Sequence, residues 1–166
     1  MRRAASKTMR WNEEHSAHSD KPLVPGVIVI IDLDRFGEYV EERGLDPYKP
    51  NTVTSELTRL VEEFARRFQG VVVYGLYYER GTEEAVIEIP YSAECLDQII
   101  SELEYIASRV RELGVTVTAV VATDYVTARP ARDRREAYRG TPGRRRALRA
   151  LREAKRRGGN RVVVLA

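Results

Sequence analysis

Cysteine is nearly absent: Cys95 stands alone, so no disulfide can close within the chain, which fits a reducing compartment. No apolar run approaches the ~20 residues that a membrane-crossing helix needs. Residues 1–25 also lack the apolar centre of a secretory signal. A cytoplasmic chain without a membrane partner is the expectation. Lysine is scarce, with Lys7, Lys21, Lys49 and Lys155 the only examples among 28 Lys+Arg. Asn and Gln are scarce too, a composition in keeping with a thermophile. His15 and His18 have no Cys or His near them in sequence, which argues against a metal site there.

What the chain has is charge, unevenly placed. Residues 129–161 hold 14 of the 28 Lys+Arg against Asp133, Glu136 and Glu153 alone. That stretch carries +11 and the remainder −8, within a net charge of +3. Such a segment attracts phosphate-bearing partners, RNA or another polyanion among them. A solvated helix face has the same signature, and both readings stand at this point.

The length of 166 residues suits one domain with a substantial core. Residues 1–25 read as a polar N-terminal arm, which Trp11 can dock, and 26–166 as the domain. Residues 26–34 are a continuous β-branched run, the pattern of a strand buried on both faces. A loop follows, punctuated by Gly44, Pro47 and Pro50. Leu57, Leu60, Val61, Phe64 and Phe68 recur at helical spacing. Residues 71–78 and 84–89 read as two strands joined by a turn at 79–82, a hairpin. Leu96, Ile99, Leu103, Ile106 and Val110 mark a second helix. Residues 115–122 give a fourth strand and 124–140 a polar connection. Thr141 and Pro142 open a third helix as N-cap and first-turn proline, and Gly158-Gly159 closes it. Residues 162–165 are a last strand. The order is β-α-β-β-α-β followed by α-β: an α/β (α+β) fold with a ferredoxin-like βαββαβ core and an additional C-terminal αβ unit.

Asp32 and Asp34 lie two apart at the end of the first strand, so alternation puts both on one face if the strand runs that far. Like charges so close repel unless a cation lies between them, and hard oxygen ligands suit Mg²⁺ or Mn²⁺. One of the two capping the strand is the simpler alternative. In a ferredoxin-like sheet the first strand sits beside the third. The hairpin can then bring Glu83 to the same place, giving three carboxylates for one or two metals on a triphosphate. Glu84 reads as a solvated turn residue. Lys155 is either a half-buried stem with an exposed head or a point charge on a phosphate. Tyr74, Tyr77 and Tyr78 are strand formers that can also stack bases.

These residues, taken in order, carry a family resemblance. Asp32-Leu33-Asp34-Arg35-Phe36 resembles the D-x-D-x-F motif of the GGDEF superfamily of nucleotidyl cyclases. That group takes in the palms of CRISPR signalling subunits, the minimal CRISPR polymerases and the archaeal type III GTP cyclohydrolases. Gly81-Thr82-Glu83-Glu84-Ala85 is similar to the signature hairpin, and the stretch from Ala147 through Lys155 to Gly158-Gly159-Asn160-Arg161-Val162 to the closing motif. The resemblance spans residues 26–165. Thr82, Ala85 and Gly159 depart from it, standing for a glycine, a phenylalanine and an arginine. Val40 and Lys49 stand about where the guanine-reading residues of bacterial diguanylate cyclases fall, and no upstream R-x-x-D inhibitory site is present. The stretch Ile31 to Tyr39, with Gly37 following the acidic motif, more closely resembles the cyclohydrolase and CRISPR-type palms.

The resemblance implies a metal-dependent enzyme on ATP or GTP, a nucleotidyltransferase making a cyclic or linear oligonucleotide. Asp32, Asp34 and Glu83 would be catalytic. Asp32, the Leu33 carbonyl, Asp34 and Glu83 would hold Mg²⁺ or Mn²⁺. Phe36, Gly81, Thr82, Lys155 and Asn160 would contact the nucleotide, and a homodimer would bring two nucleotides together. Two alternatives stand beside it. One is a GTP cyclohydrolase III-like hydrolase. The other is a non-catalytic palm module binding nucleotide or RNA.

Overall fold

The computed structural model describes residues 22–166. The expected arm, with Trp11, His15 and His18, lies outside the described residues up to position 21. The elements run β1 (Val24–Leu33), α1 (Phe36–Glu42), α2 (Thr52–Arg67), β2 (Val71–Tyr74), β3 (Glu84–Pro90), α3 (Leu96–Glu112), β4 (Val117–Val126), α4 (Arg134–Arg139), α5 (Pro142–Arg156) and β5 (Arg161–Leu165). A short 3₁₀ turn, Ala93–Cys95, precedes α3. Among the described residues no helix is long and apolar enough to cross a membrane.

The sheet order is β2-β3-β1-β4-β5. β1 is central and antiparallel to both β3 and β4, β2 is antiparallel to β3, and β5 is parallel to β4. The first four strands therefore have the ferredoxin-like order, and the C-terminal α5–β5 unit extends the sheet beside β4.

The β-branched run of β1 is buried because helices cover both sides of it. Val27, Val29, Ile31 and Leu33 face α2 and α3, packing with Leu57, Phe64, Leu103 and Ile106. Ile28 and Ile30 face the other way, onto Ala137, Tyr138, Ala147, Leu148 and Leu151 of α4 and α5. The helix starts are capped locally. Asn51 accepts from the Thr54 N–H, Asp133 from the Glu136 N–H, and Thr141 from the Arg144 N–H with Pro142 behind it.

Four local expectations need revision. β1 begins at Val24, so Pro25 lies inside it; β3 joins the ladder only from Gly26, and the carbonyl of Pro25 accepts from Tyr91 N–H at 2.8 Å. β2 stops at Tyr74 instead of reaching residue 78. Gly75 takes φ +106° there, and a Cβ on it would lie 2.0 Å from the Glu84 carbonyl oxygen, so the chain leaves the sheet. The link onward docks on α2, with Thr82 N–H donating to Thr54 O at 3.1 Å. The loop after β1 opens with helix α1, and the connection 124–140 contains the end of β4 and all of α4.

Candidate functional site

β1 ends with its last even-numbered residue, Asp32, paired to Glu84 on one side and Thr118 on the other. Alternation along the strand puts Asp32 and Glu84 together on the α5 face. Asp34 lies one step beyond the strand, and its N–H donates to Thr116 O at 2.9 Å.

The carboxylate of Asp34 is 9% exposed. Oδ1 accepts from Thr118 Oγ1 at 2.7 Å and from Lys155 Nζ at 3.0 Å. Oδ2 accepts from Thr116 Oγ1 at 2.7 Å and from the Asn160 N–H at 2.9 Å. Those donors fill the acceptor sites of a carboxylate. Burial raises its pKa, but the bonds from Thr118, Thr116, Asn160 and Lys155 outweigh that and hold it below the usual value.

Lys155 comes from the last turns of α5. Its Nζ donates to the Leu33 carbonyl at 3.0 Å and to Asp34 Oδ1 at 3.0 Å, and lies 3.1 Å from Asp32 Oδ2. Asp32 has no comparable set of donors. Burial pushes its carboxyl up to about 6 against the pull of Lys155, with Glu84 and Asp34 adding to the rise.

Asp32 and Lys155 line a cavity of about 490 Å³, within the range of small-molecule sites. Four arginines of α4 and α5 line it too: Arg134, Arg135, Arg139 and Arg152. Arg134 is bonded to both oxygens of Glu84, at 2.6 and 3.2 Å. Arg135, Arg139 and Arg152 pair with no acid among the described residues. Tyr138 lines the same cavity and is 4% exposed. Its hydroxyl is the buried side-chain polar atom without a hydrogen-bond partner among the described residues. Burial drives its pKa up, with the Glu84 and Asp32 charges acting in the same sense.

Glu83 sits apart from this cavity. Its carbonyl accepts from the Leu33 N–H at 3.0 Å, so its backbone continues the ladder next to β1. Its side chain lines a second, more apolar cavity of about 400 Å³ with Phe36, Gly37, Val40, Leu45 and Pro47. The structure therefore brings Asp32, Leu33 O and Asp34 together around Lys155, and leaves Glu83 outside that group. Among the described residues no three acidic, His or Cys side chains could hold a metal ion together. Asp34 is saturated and Glu84 is held on both oxygens by Arg134, so the donor set as arranged does not fit a two-metal centre.

The other expected contacts fall as follows. Thr82 is fully buried, with its hydroxyl 2.8 Å from Thr58 Oγ1, and Gly81 is buried against Thr54. Phe36 is 9% exposed and stacks on Tyr39. Asn160 reaches Asp34 through its backbone N–H. Glu84, read from sequence as a solvated turn residue, instead stands beside Asp32 and holds Arg134.

The Arg-rich segment divides as the sequence alone could not divide it. Arg144 is 2% exposed and bound to the fully buried Glu88 through Nη2 at 2.7 Å and Nε at 3.2 Å. Arg146 pairs with Asp124, and Arg156 and Arg157 with Glu153. Arg134, Arg135, Tyr138, Arg139 and Arg152 were missed as a group. Helical spacing of three to four puts Arg135 near Arg139 on α4 and Arg152 near Lys155 on α5, a signal present in the sequence. That the two helices meet over Asp32 was not.

No family model matches the chain, and no curated protein does. Among solved structures the chain is similar to the diguanylate cyclase SiaD of Pseudomonas aeruginosa, solved in complex with its activator SiaC, at a TM-score of 0.42 and 20% identity. The match covers 98% of this chain and 57% of that one, so the chain spans little over half of that protein's length.

Proposed function

We propose that this chain is a nucleotide-binding palm that holds a nucleoside triphosphate, ATP or GTP, by its phosphates over Asp32 and Lys155. One observation carries the reading: among the described residues, three arginines without acidic partners and a buried tyrosine hydroxyl without a hydrogen-bond partner surround a single cavity. A polyphosphate answers all of them at once, because its oxygens accept paired N–H bonds from guanidinium forks and a bond from the hydroxyl. The cavity beside Phe36, across the strand end, offers an apolar slot for the base. RNA or another polyanion is served by the same arginines.

Metal-dependent nucleotidyl transfer, giving a cyclic or linear oligonucleotide, is the second reading. The ordered motifs at Asp32-Leu33-Asp34, Gly81–Glu84 and Lys155–Asn160 support it, and the donor count at Lys155 stands against it. A homodimer belongs to that reading, since each protomer would hold one nucleotide. Ring-opening hydrolysis of GTP is the remaining enzymatic alternative.

Incubation with labelled ATP and GTP separates them. Nucleotide retained without turnover is the expected result. Pyrophosphate release would instead identify transfer, and a formamidopyrimidine product with a changed ultraviolet spectrum would identify the hydrolase. Absence of any nucleotide binding would remove all three.

A further inference from the structure

We propose that the ammonium of Lys155 is the resident cation of the β1 terminus, occupying the seat that a divalent metal would need. It deepens the nucleotide reading: the phosphates would be held without Mg²⁺ or Mn²⁺. The three N–H bonds of an ammonium point in three directions. Here it donates to Leu33 O and Asp34 Oδ1 at 3.0 Å and forms an ion pair with Asp32 Oδ2 at 3.1 Å, so three oxygens surround it. Those are the oxygens a metal at this place would take. They stand at ammonium distance, about 0.9 Å farther out than the roughly 2.1 Å that Mg²⁺ demands.

While Lys155 is in place, the seat does not contract to suit the smaller ion. Asp34 is tied by Thr116 and Thr118 of the β4 side and by the Asn160 N–H. Gly159 lies directly against it: a Cβ there would stand 2.7–2.8 Å from the carboxylate atoms. The Leu33 carbonyl is fixed by the sheet. Only Asp32 is free to move, and it already pairs with Lys155. The glycine at 159 and the lysine at 155 thus form one arrangement: the first lets the loop close on Asp34, and the second fills the space that closure leaves.

The test is uptake of Mn²⁺ by the full chain, followed by electron paramagnetic resonance, in wild type, Lys155→Ala, Lys155→Met and Lys155→Ala/Asp32→Asn, each checked for folding by circular dichroism. Wild type should leave Mn²⁺ free. Lys155→Ala should gain a single site at least about tenfold tighter, and the added Asp32→Asn change should abolish it. Lys155→Met keeps the stem's packing, so it supplies the measurement if the alanine variant unfolds. Wild-type uptake equal to that of the lysine variants would overturn the proposal, as would variants that fold and gain nothing. A second arm measures inorganic triphosphate binding to wild type in chelator and in Mg²⁺, where equal affinity is expected. A need for Mg²⁺ would overturn metal independence. Absence of triphosphate binding in both would overturn the nucleotide reading while leaving the Mn²⁺ result to decide the seat.

Discussion

Gly159 lies against the carboxylate of Asp34, so close that a methyl group there would stand 2.7 Å from Oδ1. The residue also takes φ +64°, which L side chains rarely adopt. Gly159→Ala should therefore destabilise the fold by about 1–3 kcal/mol, through backbone strain and displacement of Asp34. Gly37→Ala is the contrast. Gly37 lies in α1 with open space around it, and alanine there should be neutral or stabilising by up to about 1 kcal/mol. Urea denaturation of the two variants checks the difference in sign.

Arg144 should behave as a core residue despite its place in a run of three arginines. Its guanidinium holds Glu88, which is fully buried and also accepts from Thr127 Oγ1 and the Ala128 N–H. Arg144→Ala strands that carboxylate, and a loss of about 3–5 kcal/mol is expected. Arg149→Ala, on the exposed face of α5, should change stability by less than about 0.5 kcal/mol. Guanidinium chloride denaturation measures both. A charge-reversed Arg144-Arg145-Arg146 triple is consequently no test of polyanion binding, because it would unfold the protein. Arg135, Arg139 and Arg152 are the positions to change.

Tyr138→Phe should move stability and binding in opposite directions. Removing a buried hydroxyl that has no partner among the described residues relieves a desolvation cost of about 1–3 kcal/mol, so the free variant should melt higher. If that hydroxyl donates to a phosphate, triphosphate affinity should fall by about tenfold. Thermal melts with and without triphosphate give both numbers, and a variant that binds as tightly as wild type removes Tyr138 from the site.

Asp32 gives the fold a pH dependence. Its carboxyl is pushed from 3.8 to about 6 by burial, so the folded state keeps a proton that the unfolded chain releases. Its favourable contribution is complete below about pH 4 and is lost as pH rises through about 6. Asp32→Asn mimics the protonated form at every pH. Its stability relative to wild type should grow between pH 4 and pH 6.5, by on the order of 2–3 kcal/mol, and then level off. Denaturation at a series of pH values checks the sign; an advantage that shrinks with pH would contradict it.

The sequence by itself determined the order of the strands and of the three long helices, though not the short helices α1 and α4, because the signals that specify the long elements are local. The β-branched run of β1 carries its own strand pattern, α2 and α3 their apolar spacing, and Thr141-Pro142 its helix start. Even the antiparallel pair of β2 and β3 is a neighbour-to-neighbour matter. The site was not legible in the same way. Which of two adjacent glutamates meets Asp32 depends on register, and a step of one residue exchanges the faces: Glu84 is inside and Glu83 outside. Lys155 meets Asp34 across 121 residues of sequence, and Arg144 meets Glu88 across 56. Nothing local distinguishes Arg144 from Arg145 beyond its position on the helix, yet one is buried and the other exposed. Those outcomes belong to the packing of α4 and α5 over the end of β1, where burial and long-range pairing decide which charges are compensated and which are left for a ligand.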